Sequence, residues 1–175
     1  MQQKVLAPRR DDRGELAEVL RSDWAGRSWG LPCCQVTVSH TRPGVARDED
    51  LWHVHRRQYD RVVVIQGALV LALFDARPRS GTFRTLELHR LGPAWGEPWR
   101  TVLIPPGVYH GILCVGQQAA IFINMPSRLY DGADEGRVPF AEAGAVFGHG
   151  VPFSWRVVRE LAGFQIQDWT LRPRA

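Results

Sequence analysis

Lysine is all but missing from this chain: Lys4 is the only one in 175 residues, and every other fixed positive charge is arginine. A central pocket built from lysine chemistry is thereby excluded, whereas arginine suits bidentate contacts to phosphate and so an anionic small molecule. Cysteine is scarce and odd in number, with Cys33, Cys34 and Cys114 as the whole set. That excludes a disulfide framework, and the adjacent pair is no zinc-ribbon spacing. All three are expected to be small buried hydrophobes. No apolar run approaches the roughly 20 residues of a membrane-crossing helix, and the opening "MQQKVLAPRR" has no hydrophobic centre of the secretory kind. A cytoplasmic protein without a membrane partner is expected. The arginines are spread along the chain, with neither a basic helix nor an interleaved aromatic platform, so nucleic acid is not an expected partner.

What is present is a folded composition. Hydrophobic residues make up 45% of the chain, enough for one domain with a substantial core. No repeat or linker divides residues 1–175; the core is placed at about 11–136, with 137–175 as a C-terminal loop and tail packed against it. The patterning is mostly β. "CCQVTVSH" (33–40) alternates like a half-buried strand, and "RVVVIQGALVLALF" (61–74) reads as two strands of a hairpin broken at Gln66–Gly67. "TFRTLELHRL" (82–91) is a further strand, and 100–125 reads as three strands joined by Pro-Pro-Gly and Gly-Gln-Gln turns. "ELAEVLR" (15–21) has helical composition but can also form an edge strand. Residues 129–152 read as a long surface loop with at most one helical turn, and 153–169 is ambiguous between strand and helix. Short strands at this spacing predict an all-β sandwich or small barrel with short helical segments.

One constellation carries chemistry. In His53-x-His55 the two imidazoles share a face if the segment is a strand. Four residues separate His55 from Asp60, six more lead to Gly67, and "PPGVYH" later delivers His110. This order is the two-part signature of the cupin jelly roll, with Asp where Glu is usual and Cys114 where an Asn often stands. Three imidazoles and a carboxylate can enclose a divalent metal (Zn, Fe, Ni or Mn), with His53, His55, Asp60 and His110 as its candidate ligands. The alternative is a metal-free pocket mouth in which the histidines bond to Asp60 and water. Asp, one methylene shorter than Glu, can also serve by orienting a histidine.

Four blocks in order carry a resemblance: "DDRGELAEVLR", "CQVTVSHTRPGVAR", "VIQGALVLALFDARPRSGTF" and "VLIPPGVYHGILCV". They resemble the dTDP-4-dehydrorhamnose 3,5-epimerase family, a cupin group, over roughly residues 11–136. The resemblance implies a homodimer that exchanges N-terminal strands and inverts carbons next to the ketone of a dTDP-4-keto-6-deoxyhexose. A histidine base, a positive group beside the enolate and a proton-returning tyrosine would do the chemistry. It further implies a substrate shell of Arg13, Glu18, Gln35, Arg47, Asn124 and Glu135, with Arg47 on phosphate, and a site containing His110 and Tyr130.

The family's own catalytic trio does not carry over. Its base position falls on Asp50, its lysine on Asp60 and its tyrosine near Asn124; Asp168 is a loose match for the carboxylate that pairs with the base. The expected repairs use His53 as base. In one, a metal on His55, Asp60 and His110 replaces the lysine; in the other, the His pair shuttles a proton, as in a ketoisomerase or single-centre epimerase. The expected catalytic set is thus His53, Asp60, His110 and Tyr130. A metal-dependent cupin enzyme on another small molecule and a non-catalytic ligand binder stay open as alternatives.

Overall fold

The computed structural model describes residues 2–24 and 29–163. Twelve strands dominate: β1 (Gln2–Val5), β2 (Arg9–Asp11), β3 (Gly14–Leu16), β4 (Thr37–Thr41), β5 (Leu51–His55), β6 (Asp60–Gln66), β7 (Leu69–Asp75), β8 (Leu86–Leu91), β9 (Arg100–Ile104), β10 (Val108–Cys114), β11 (Ala120–Asn124) and β12 (Glu135–Pro139). Two helices, α1 (Phe140–Ala143) and α2 (Trp155–Gly163), follow them.

Two five-stranded sheets form, ordered β1-β9-β6-β11-β4 and β12-β5-β10-β7-β8, with every pairing antiparallel. Each sheet ends in edge strands and neither closes on itself, so the architecture is a sandwich and the barrel half of the expectation is not met. The strand break at Gln66–Gly67 is where the sequence puts it, but β6 and β7 belong to different sheets, so this is a sandwich corner and no hairpin. Gly67 turns that corner at φ 78, where an added Cβ would sit 2.7 Å from the Ala119 carbonyl oxygen. Among the described residues no helix is long and apolar enough to cross a membrane.

Why the central strands read so clearly follows from their burial. In β7, Leu69, Leu71 and Leu73 face the other sheet, while Val70, Ala72 and Phe74 face α1, α2 and their flanking loops. Both faces are dry, so the run is continuously apolar. The outer face of the first sheet is covered instead by the N-terminal segment, through Leu6, Val19, Leu20 and Trp24 against Val63 and Met125. On the second sheet Gly111 makes room for Trp155, whose Cζ2 would lie 2.7 Å from a Cβ there.

Of the two alternatives for residues 15–21, the structure takes the strand, in β3, and the rest of the segment has no regular structure. Other expectations fail locally. Cys33 and Cys34 are exposed and only Cys114 is buried. Instead of packing, the first two thiols donate to the carbonyls of Gln35 and Ser127. The segment before them is held by Arg61, a fully buried guanidinium that donates to the carbonyls of Trp29, Leu31, Pro32 and Met125. Within 129–152 the expected helical turn is α1, but the segment also contains β12, paired along the whole of β5.

Candidate active site

A cavity of about 410 Å³ opens between the sheets. Seven strands line it, β9 through Ile104 and the other six through residues two apart: Thr37 and Ser39, His53 and His55, Asp60 and Val62, His110 and Ile112, Phe122 and Asn124, Glu135 and Arg137. Alternation along a strand sends such pairs to one face, so polar groups at i and i+2 build a wall while their neighbours join the hydrophobic layers. Register then sets who meets whom. His53 stands directly opposite Arg137 on β12 and opposite His110 on β10, so the three form one row across the second sheet. The Pro-Pro-Gly turn that leads to His110 is tied to the end of β5 by the Gly107 N–H, which donates to the His55 carbonyl at 2.8 Å.

Hydrogen bonds fix the imidazole tautomers. Gln58 Nε2 donates to Asp60 Oδ1 at 2.9 Å and to His55 Nε2 at 3.0 Å, so His55 Nε2 is an acceptor and its proton sits on Nδ1. That Nδ1 faces Asp134 Oδ2 at 3.5 Å. His110 Nδ1–H donates to the Val108 carbonyl at 3.1 Å, which leaves Nε2 as a lone pair. His53 differs: Arg137 Nη1 donates to its Nδ1, so the ring proton lies on Nε2 and donates to His55 Nε2 at 2.9 Å. Asp60 Oδ1 also accepts from Asn124 Nδ2 at 2.9 Å, while Oδ2 looks at His55 Nε2 (3.4 Å) and His110 Nε2 (4.0 Å).

Burial, then the charges of His110, Arg137 and His55, push the His53 pKa down to about 2. Burial likewise lowers that of His110, against the opposing pull of Asp60 and the Val108 carbonyl. Asp134, whose burial alone would raise its pKa, is held below the usual carboxylate range by Arg57, the Gln58 N–H and His55.

The ligand atoms of His53, His55 and His110 lie within 4.8 Å of one another, a geometry consistent with a divalent-metal site. The donor chemistry fits best at His110 and Asp60: His110 presents a free Nε2 with the Val108 carbonyl at its Nδ1, and Asp60 Oδ2 faces it as a second lone-pair donor. His55 Nε2 already accepts from Gln58 and His53, and would join a metal only after those donors turn away. His53 presents N–H instead, and would join a metal only after parting from Arg137.

The other sequence candidates divide. Gln35 and Tyr130 lie at the rim, joined by the Tyr130 N–H donating to Gln35 Oε1, and Tyr130 is 70% exposed. Arg47 lines the wall, donates to Ser39 Oγ and lies over the Phe122 ring. Arg13 and Glu18 do not reach the cavity of their own chain. They are exposed on the N-terminal segment and paired with Asp11 and Arg21. Asp50 is exposed at the entry to β5 and outside the cavity, whereas Asp168 falls outside the described residues. Gln58, Asp134 and Arg137 were not foreseen. The carboxylate run Asp131–Glu135 was a signal for the second of them, but only the pairing of β12 with β5 shows its relation to His55.

An open β-sandwich with a histidine cluster, a buried carboxylate and two wall arginines defines a small-molecule pocket. Residues 4–145 match the model of the family described as dTDP-4-dehydrorhamnose 3,5-epimerase, and the chain belongs to that family. Its role is therefore enzymatic and isomerase-like. The chain is 33% identical over 133 residues to the probable low-salt glycan biosynthesis epimerase Agl13 of Haloferax volcanii, a match covering 74% of this chain and 80% of that protein. The spore coat polysaccharide biosynthesis protein SpsL of Bacillus subtilis is 29% identical over 145 residues, 78% of this chain and 86% of that one. Among solved structures, a dTDP sugar isomerase from Desulfovibrio desulfuricans superposes with a TM-score of 0.73 at 23% identity, covering 89% of this chain and 90% of that chain, a likeness of fold. NovW, a 4-keto-6-deoxy sugar epimerase from the novobiocin gene cluster of Streptomyces spheroides, gives 0.67 at 26% identity, covering 78% of this chain and 67% of that one.

Proposed function

We propose that the protein epimerises or ketoisomerises a dTDP-4-keto-6-deoxyhexose by enolisation next to the ketone. One observation carries the reading: His53 stands in the wall of the cavity that also holds Arg47 and Arg137. His53 removes the proton beside the ketone; the C–H electron pair enters the enolate and the proton stays on the ring. His55, fixed between Gln58 and Asp134, accepts the His53 Nε2–H and holds the base in its orientation. Arg47 binds the diphosphate, Asn124, Gln35 and Glu135 bind sugar hydroxyls, and Tyr130 returns a proton from the rim. His110 and Asp60, joined by His55 only where its Nε2 is released by Gln58 and His53, would hold a divalent ion, which would supply Lewis acidity at the ketone oxygen.

The same reading takes the chain as one jelly-roll domain and as a cytoplasmic homodimer, in which Arg13 and Glu18 of a second copy complete the pocket. A metal-dependent reaction on an unrelated small molecule is the second reading, favoured by the gathering of three imidazoles whose ligand atoms lie within 4.8 Å of one another.

Solvent deuterium exchange into a dTDP-4-keto-6-deoxy sugar tests the first reading. The expected result is exchange by the wild type and by Asp50→Ala, and none by His53→Ala. Binding of dTDP without exchange in any of the three would leave a ligand-binding relative. No binding, with a thermal shift on added Zn, Mn, Ni or Fe, would favour the second reading.

A further inference from the structure

We propose that Arg137 covers the catalytic lone pair of His53 until the diphosphate of the substrate draws it away, so that nucleotide binding uncovers the base. The inference rests on the enolisation reading above. Its basis is the bonding of one ring. His53 Nε2 carries the proton and is committed to His55, so Nδ1 is the only ring atom that can take up another. Arg137 Nη1 donates to that Nδ1, and the two residues are direct partners in the β5–β12 register, so the contact is built into the sheet. A guanidinium never accepts a proton at working pH and donates only, so while it stays there Nδ1 cannot act as a base.

The cover is lightly held. Its ion pairs to Asp48 and Glu135 are long, 3.7 Å and 3.8 Å, and the side chain is 41% exposed. A diphosphate offers two anionic centres and bidentate oxygen geometry, a stronger partner for arginine than a neutral ring nitrogen or a distant carboxylate. Arg47 lines the same cavity, so an anion bound there brings its charge within the same enclosure as Arg137. When the guanidinium swings to the phosphate, Nδ1 is free. The C–H bond next to the ketone then breaks, its electrons enter the enolate, and the proton ends on Nδ1 with Nε2–H still on His55. Arg137 thus acts twice, as anion ligand and as the group that makes proton abstraction depend on the nucleotide.

The test divides the substrate into pieces. Deuterium exchange into free 4-keto-6-deoxyglucose is measured with and without inorganic pyrophosphate, for the wild type and for Arg137→Met. Pyrophosphate should accelerate wild-type exchange about tenfold or more, and Arg137→Met should exchange the free sugar at the accelerated rate without responding to pyrophosphate. In the wild type, the ¹⁵N signal of His53 Nδ1 should shift from that of a bonded acceptor to that of a free one on adding pyrophosphate, a readout that stands even where the variant fails to fold. No acceleration and no shift, or a variant as slow and as responsive as the wild type, would overturn the proposal. The nucleotide-linked sugar is run alongside: its exchange by the wild type keeps the enolisation reading even where the pyrophosphate arm fails, and its failure to exchange removes both.

Discussion

Asp60 is the residue at which structure and electrostatics of the site can be separated. Its side chain is 3% exposed. Oδ1 holds two donors, Gln58 Nε2 and Asn124 Nδ2, each at 2.9 Å. Asp60→Ala strands both. A buried donor left without a partner costs about 1–3 kcal/mol, so the loss should total about 2–5 kcal/mol. For a chain of this size each kcal/mol lowers Tm by about 2–4 °C, which predicts a fall of about 5–15 °C. Asp60→Asn behaves differently. Its carbonyl oxygen takes the Oδ1 place and keeps both donors. Its NH₂ takes the Oδ2 place, where the free Nε2 lone pair of His110 faces it. The amide should therefore lie within about 1 kcal/mol of the wild type in thermal or urea unfolding. It should also lose affinity for an added divalent ion by about 10–100-fold, because an amide oxygen or NH₂ replaces the carboxylate donor. An Asn variant as unstable as Ala would refute this reasoning, since it would mean that the folded site depends on the negative charge itself.

Three further outcomes follow from particular contacts. Asp75 is fully buried and accepts from Arg77, Ser80 and Thr82, which together outweigh its burial and hold its pKa below 3.8. Its contribution is therefore complete above that value and lost as pH falls below it, so Asp75→Asn should cost about 3 kcal/mol at neutral pH and flatten the acid limb of a stability-against-pH curve; an unchanged acid limb would contradict the assignment. Gly111→Ala places a methyl 2.7 Å from the Trp155 ring, so α2 must shift, at about 1–3 kcal/mol, and the tryptophan emission should change. Asp134→Asn should lower kcat about tenfold or more at constant KM and move the His55 proton between ring nitrogens in ¹⁵N spectra; a loss confined to stability would reduce Asp134 to a cap on the Gln58 N–H.

Legibility in the sequence tracked burial and locality. The strands β6, β7, β9, β10 and β11 stood out because their apolar faces lie against other layers. The gathering of His53, His55, Asp60 and His110 was legible because two residues apart on a strand means one face, whatever the sheet. By contrast, β12 is an edge strand carrying Gly136, Arg137 and Pro139, with Val138 too short an apolar signal to show an alternating pattern; with it were lost Arg137 and the link from Asp134 to His55. The corner at Gly67 failed for a related reason. Local turn chemistry says that the chain bends, not which sheet the next strand joins. Cys33 and Cys34 were misplaced because a buried arginine, distant in sequence, holds the main chain before them.

The account stands or falls most directly on where the reacting carbon sits. A crystal structure of the protein with a dTDP-linked 6-deoxyhexose bearing a hydroxyl in place of the 4-ketone would show it. The account predicts the diphosphate on Arg47 and Arg137, with the carbon beside C4 about 3–3.5 Å from His53 Nδ1. The sugar bound outside the cavity, or inside it with that carbon beyond reach of His53 while Arg137 still caps the ring, would contradict it.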